Sequence, residues 1–145
     1  YLMNDLSAAY LWGNLEKADE INQNRLNTWQ KYYDELKELE EKGFIKLPII
    51  PKNCVQNAHM FYIKVKDLEE RTKLLEYLKQ NDILAVFHYI PLHSAPAGLK
   101  FGRFDSDDIY TTKESERLLR LPMYYNLNDK DIKKIILVVK TFYNH

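Results

Sequence analysis

The stretch HMFYIKVKDLEERTKLLEYLKQNDILAVFHYI, residues 59–90, reads as strand, helix and strand, and this reading sets the fold class. Along its first eight residues His59, Phe61, Ile63 and Val65 fall on one side and Met60, Tyr62, Lys64 and Lys66 on the other. A period of two marks a half-buried strand and puts His59 at its start, on the core side. Taken alone, His59 is a core-edge histidine with one satisfied ring nitrogen. Asp67 and Glu70 have capping-box spacing, and Leu74, Leu75 and Leu78 carry a helix to Asn81-Asp82. Ile83–Ile90 is a second apolar run, in which His88 alternates with Leu84 and Val86, and Tyr89 with Ala85 and Phe87. The order points to a small α+β layer.

Upstream, Asn4 is placed to cap a helix, with Asp5 in its first turn. No proline interrupts the chain from there to Lys42. Ala8, Leu11, Trp12, Leu15 and Ala18 recur at helical spacing, and Trp29, Tyr32, Tyr33, Leu36 and Leu39 do so again. The polar waist Asp19–Asn27 between them predicts two helices in line or one bent helix, stopped at Gly43. Residues 1–43 are thus read as a connecting helix or helix pair and 44–145 as the small α+β domain. Nothing nearby in sequence covers the aromatic, alanine-rich face of the first half, so its partner surface is expected in a further domain. Tyr1 is not a start methionine and the chain opens almost directly into this helix, so a segment is expected upstream. Phe44–Ile50, closed by Pro48 and Pro51, is at best a short edge strand.

Downstream, the second strand breaks at Pro91 inside FHYIPLHSAPAG, residues 87–98. His88, Tyr89 and His93 gather at this break, where a strand end and a Pro/Gly-rich loop together make a site wall. On spacing alone, two surface imidazoles at a strand end remain the plainer reading. Pro91–Tyr110 is read as a long loop. Thr111 with Glu114 suggests a capping box opening a helix to Leu121, Pro122 stops it, and Met123–Leu127 crosses in extended form. Asn128 caps a last helix whose stripe is Ile132, Ile135, Ile136, Val139, Phe142 and Tyr143.

Lys+Arg and Asp+Glu are equal at 21 each, which argues against a general nucleic-acid or anionic-membrane surface, while leaving room for a local anion site. No run is long enough to span a membrane. The single cysteine, Cys54, cannot make an internal disulfide, has no zinc spacing around it, and fits a cytoplasmic chain. His88 and His93 are five apart across a proline, not a helical metal pair, and no supporting carboxylate stands near them, so no metal is expected. Phosphate loops, dinucleotide fingerprints and GxSxG are absent from the sequence.

Four strings remain: MNDLSAAYLWGNLEKAD from Met3, AHMFYIKV from Ala58, FHYIPLHSAPAG from Phe87, and TTKESERLLRLPMYYNL from Thr111. In order and without large gaps, they resemble the C-terminal part of the DegT/DnrJ/EryC1/StrS sugar aminotransferases. That resemblance implies the α+β C-terminal small domain of an aspartate-aminotransferase-like fold (fold type I), a short antiparallel sheet packed with helices and preceded by a long or bent helix, with pyridoxal 5'-phosphate as cofactor. It implies amino transfer from L-glutamate to C4 of dTDP-4-dehydro-6-deoxyglucose, or amination of another keto-sugar nucleotide. A non-catalytic α+β ligand-binding module is the reading from a different class.

The resemblance also implies that the cofactor lysine lies upstream, that the fragment alone is inactive, and that the parent enzyme is a homodimer. His88, Tyr89 and His93 match the segment facing the substrate side of the cleft, with His59 a neighbour one step behind. Imidazole and phenol groups there suit hydroxyls and a diphosphate. Tyr1 and Asn4 match the segment near the cofactor phosphate of the neighbouring subunit, although Leu2 stands where arginine is common. The LRLPM segment is expected to be structural.

Overall fold

The computed structural model describes residues 2–105 and 107–144. Helix α1 (Asp5–Leu15) is capped by Asn4, whose side-chain oxygen accepts from Ser7 N at 2.9 Å. After a break at Glu16-Lys17, α2 (Ala18–Glu41) runs to Gly43, where φ of +79° fits glycine. Strand β1 (Phe61–Lys64) follows, then α3 (Leu68–Gln80), β2 (Val86–Phe87), α4 (Pro96–Phe101), α5 (Thr111–Arg117), β3 (Leu118–Leu121) and α6 (Asp129–Tyr143). The described strands form one antiparallel sheet in the order β1-β3-β2. Tyr62 and Val86 flank Arg120 in register.

One face of the sheet makes the core. Phe61, Ile63, Leu119 and Leu121 alternate inward and meet Leu74 and Leu78 of α3 and Ile132, Ile135 and Val139 of α6. Each such side chain contributes about 2–3 kcal/mol on burial. Trp29, Tyr32, Leu36 and Leu39 of α2 join the same core. Phe61 packs on Trp29 and Tyr32, with ring centroids 5.4 and 5.1 Å away. The second half of α2 is therefore part of the same core as the sheet and α6. Tyr32 is buried and donates to the carbonyl of Pro122 at 3.0 Å, and burial pushes its phenol pKa up. Burial, then the hydrogen bond to Glu70 at 2.6 Å, does the same to Tyr143.

Helix α1 takes no part in this core. Leu6, Tyr10, Leu11, Trp12 and Leu15 are exposed, and the helix has no buried residue.

Several expectations are corrected. The helix expected to run to Leu121 ends at Arg117, and Leu118–Leu121 is the central strand. A residue before proline avoids the helical region, and alternation buries Leu119 and Leu121 while Leu118 and Arg120 face the other way. The Thr111–Glu114 capping box does not form; Asp108 caps α5 instead, accepting from Thr112 N at 3.2 Å. The loop Pro91–Tyr110 contains α4. The expected strand Ile83–Ile90 shrinks to Val86–Phe87, since only those residues pair with β3. Phe44–Ile50 contributes a single bridge, Lys46 to Lys64. Met123–Leu127 turns rather than extends, with Asn126 at φ +63°.

His59 is exposed rather than on the core side. Ala58, at φ +49°, turns the chain before the strand and takes the buried place itself.

Candidate functional site

The break after β2 holds three of the expected residues in unlike settings. His88 is half-buried, its Nδ1 has no hydrogen-bond partner, and its ring meets Tyr89 edge-on at 4.7 Å. Tyr89 is exposed, with the guanidinium of Arg120 5.8 Å above its ring, a cation–π contact.

His93 is engaged within the loop. Its Nε2 lies 2.9 Å from Asp108 Oδ2 and its ring stacks on Phe104 at 4.3 Å. A carboxylate only accepts, so the imidazole carries a proton on Nε2. Thr112 Oγ1 donates to the same Asp108 oxygen and stands 3.5 Å from the same ring nitrogen. All three groups converge on one edge of the ring, so they make a clasp and not a nucleophile relay. The hydrogen bond from the Thr112 side chain, with help from its backbone N–H and from His93, holds the Asp108 carboxyl below the usual value.

Gly98 tightens this arrangement. A Cβ there would stand 1.6 Å from the carbonyl oxygen of Leu92, so α4 lies directly on the backbone beside His93. On the other side of the clasp, α5 is tied to the sheet by Lys64–Glu114 at 2.8 Å and by Arg117 Nε donating to the carbonyl of Val65 at 2.8 Å.

The site residues line separate hollows. Tyr89, Arg71, Phe87, Ser94 and Thr112 line one of about 190 Å³. His59 lines another of about 290 Å³, with Met60, Leu84, Val86 and Arg120, and on its other side borders one of about 540 Å³ with Trp29, Pro48 and Tyr62. His59 Nδ1 is 3.1 Å from Asn57 Oδ1, which also accepts the His59 backbone N–H. Asn57 thereby fixes the ring and leaves Nε2 for another partner. Asn4 is exposed at the far end of the chain, its side-chain oxygen committed to the α1 cap, and Tyr1 lies outside the described residues.

Sequence reasoning missed Asp108, Phe104 and Arg120. For Arg120 a signal existed: LLRLP before a proline reads as a strand, with its arginine on the face opposite two buried leucines. No group of histidine, cysteine and carboxylate side chains able to hold a metal occurs among the described residues.

The DegT/DnrJ/EryC1/StrS aminotransferase family matches residues 1–140. The chain belongs to this family. A protein of Methanocaldococcus jannaschii without assigned function is 32% identical to it over 144 residues, 97% of this chain and 36% of its own length. The dTDP-3-amino-3,6-dideoxy-alpha-D-galactopyranose transaminase of Aneurinibacillus thermoaerophilus is 26% identical over 141 residues, again 97% of this chain and 36% of its own. The crystal structure of the aminotransferase TlmJ from Streptoalloteichus hindustanus superposes with a TM-score of 0.86 at 19% identity, over 99% of this chain and 37% of that one. This DegT/DnrJ/EryC1/StrS chain thus spans a little over a third of each of these relatives. Its architecture is the expected α+β small domain of such aminotransferases.

Members of the family are pyridoxal-phosphate-dependent aminotransferases. The cofactor requires a lysine able to give up its proton for a Schiff base, and an acid at the pyridine nitrogen. The residues described here do not fit that demand. None of these hollows has a lysine in its wall. The half-buried Lys64 and Lys140 are already paired with carboxylates, Glu114 and Glu35, each at 2.8 Å.

Proposed function

We propose that this chain is the substrate-side small domain of a sugar-nucleotide aminotransferase, and that the whole enzyme passes the amino group of L-glutamate to C4 of dTDP-4-dehydro-6-deoxyglucose. The product is dTDP-4-amino-4,6-dideoxygalactose, and the enzyme type is the dTDP-4-amino-4,6-dideoxygalactose transaminase of enterobacterial common antigen synthesis. The match of the family across residues 1–140 carries the reading, and the strings HYIPLHSAPAG from His88 and YTTKESERLLRLP from Tyr110 support its detail. The Schiff-base lysine and the acid come from a large domain upstream, which also covers the bare face of α1, so this chain alone is inactive. The whole enzyme is a homodimer in the cytoplasm, and Tyr1 and Asn4 lie towards the cofactor phosphate of the neighbouring subunit.

This chain's own part is to bind and orient. The exposed phenol of Tyr89 and the half-buried imidazole of His88 beside it are the groups assigned to sugar hydroxyls and diphosphate. His93, held by Asp108 and Phe104, keeps the loop in place beside them. His59 stands behind, at the hollow it shares with Arg120. A second reading moves the amino group to C3 of the sugar, and the A. thermoaerophilus relative favours it.

The deciding experiment supplies the whole protein with pyridoxal phosphate, L-glutamate and either the 4-keto or the 3-keto dTDP-sugar, and identifies the amino sugar by NMR. A 4-amino product supports the first reading and a 3-amino product the second. If no keto-sugar nucleotide is aminated, both fall.

A further inference from the structure

Five arginines occur in the sequence, and three are held by hydrogen bonds. Arg71 donates to the carbonyl of Ser115, Arg103 to Asp105, and Arg117 to Val65 and Glu114. Arg120 makes no hydrogen bond and no ion pair among the described residues, and its Nε is buried without a partner. Arg25 and Arg71 share that orphaned Nε, but Arg25 lies in the wall of none of the hollows described above and Arg71 is held through its Nη1 by the carbonyl of Ser115.

Arg120 stands on the central strand, between Tyr62 and Val86, on the face turned away from the core. It lies over the ring of Tyr89 and in the wall of the hollow it shares with His59, and so links that hollow to the one lined by Tyr89. The other named walls there are apolar: Met60, Leu84, Val86 and Leu121. A guanidinium in an apolar wall, with no carboxylate on it, is set for a planar or tetrahedral oxyanion, which its forked donors hold in pairs. The tyrosine beneath it limits the directions in which the fork can turn.

We propose that Arg120 holds an oxyanion of the substrate, a phosphoryl or carboxylate group, on the outer face of the sheet between Tyr89 and His59. This rests on the reading of the chain as a substrate-side domain and adds a residue without a role in that reading. A phosphoryl group would come from the nucleotide sugar and a carboxylate from the amino donor.

Two measurements test it. In the whole enzyme, Arg120→Gln should raise one Michaelis constant about tenfold or more, the loss of a charge-assisted pair, with a smaller change in kcat. A rise for the sugar nucleotide assigns the phosphoryl source and a rise for L-glutamate the carboxylate source. Arg120→Lys, which keeps the charge but not the fork, should recover part of the loss. If neither constant moves in Arg120→Gln, the proposal is overturned.

The second measurement needs no turnover and no variant, so it stands even if the transamination reading fails. The Nε–H resonance of Arg120 in the unaltered whole protein is followed as inorganic pyrophosphate or L-glutamate is added at constant ionic strength. A saturable shift with either anion, absent with chloride, supports the site. No shift with either overturns it.

Discussion

The two end helices, α1 and α6, are both rich in apolar side chains, yet they meet opposite fates. Helix α6 buries Ile132, Ile135, Ile136, Val138 and Val139, while α1 buries nothing. The difference lies in the arrangement of their charges. In α6, Lys130, Lys133, Lys134 and Lys140 mark a wet side and leave one clean apolar stripe for the core. Between Asp5 and Glu16, α1 carries no charge on any side. A striped helix needs one partner surface, and here its own chain supplies it. A helix apolar all round needs protein on several sides, which the described residues do not provide.

Substitutions can break this contrast. Phe61→Ala, beneath α2 and α6 in the core, is expected to cost about 3–5 kcal/mol in urea unfolding of the chain. Trp12→Ala in α1 should stay within about 0.5 kcal/mol in the same assay, because that ring is exposed. A loss in Trp12→Ala near the Phe61 value would show that α1 is covered after all.

Gly98→Ala comes next in size. Its methyl meets backbone rather than a movable side chain, so α4 must shift, at about 1–3 kcal/mol. The changes in the NMR spectrum should centre on residues 91–112 and leave β1 and α6 untouched.

Cap removal is smaller and sharpens the comparison of the helices directly. Asn128→Ala at the start of α6 should cost about 1 kcal/mol of global stability, because the helix it caps is part of the core. The same change at Asn4 should fray α1 without moving the unfolding midpoint, since α1 contributes nothing to that core.

The least effect is expected in acid. The Asp108 carboxyl is held below its ordinary value of 3.8 by Thr112, so its contribution to the loop is full above that pH. It is lost as pH falls through the lower, folded value. Line broadening of Phe104 should therefore set in across that acid range, and Asp108→Asn should abolish the step; an acid step that survives in Asp108→Asn would contradict it.

The sequence made the elements that touch the core legible, for physical reasons. The stripe of α6, the alternation of Phe61, Ile63 and Val65, and the caps Asn4, Asp67 and Asn128 are local patterns, and all three caps accept the backbone bond expected of them. Strand β3 was hidden because Leu118, Leu119 and Leu121 fit a helical face as well as a strand, and only pairing with β1 and β2 decides between them. The site was less legible. His88 and Tyr89 could be located by motif, but the clasp on His93 depends on Asp108, which is fifteen positions away and held there by the start of α5. Arg120 shared the fate of β3, since an arginine's role could not be read until its strand was known.

The order of the strands sets a condition on how the chain comes together. β1 and β2 do not pair with each other; apart from the single bridge of Lys64 to Lys46, each pairs with β3, which the ribosome makes last of the three. Neither earlier strand has a ladder to join until residue 121 has emerged, so the sheet closes late, through contacts distant in sequence. Until then β1 keeps one side unpaired and apolar, and a nascent chain stalled before Leu118 would offer that edge to its neighbours.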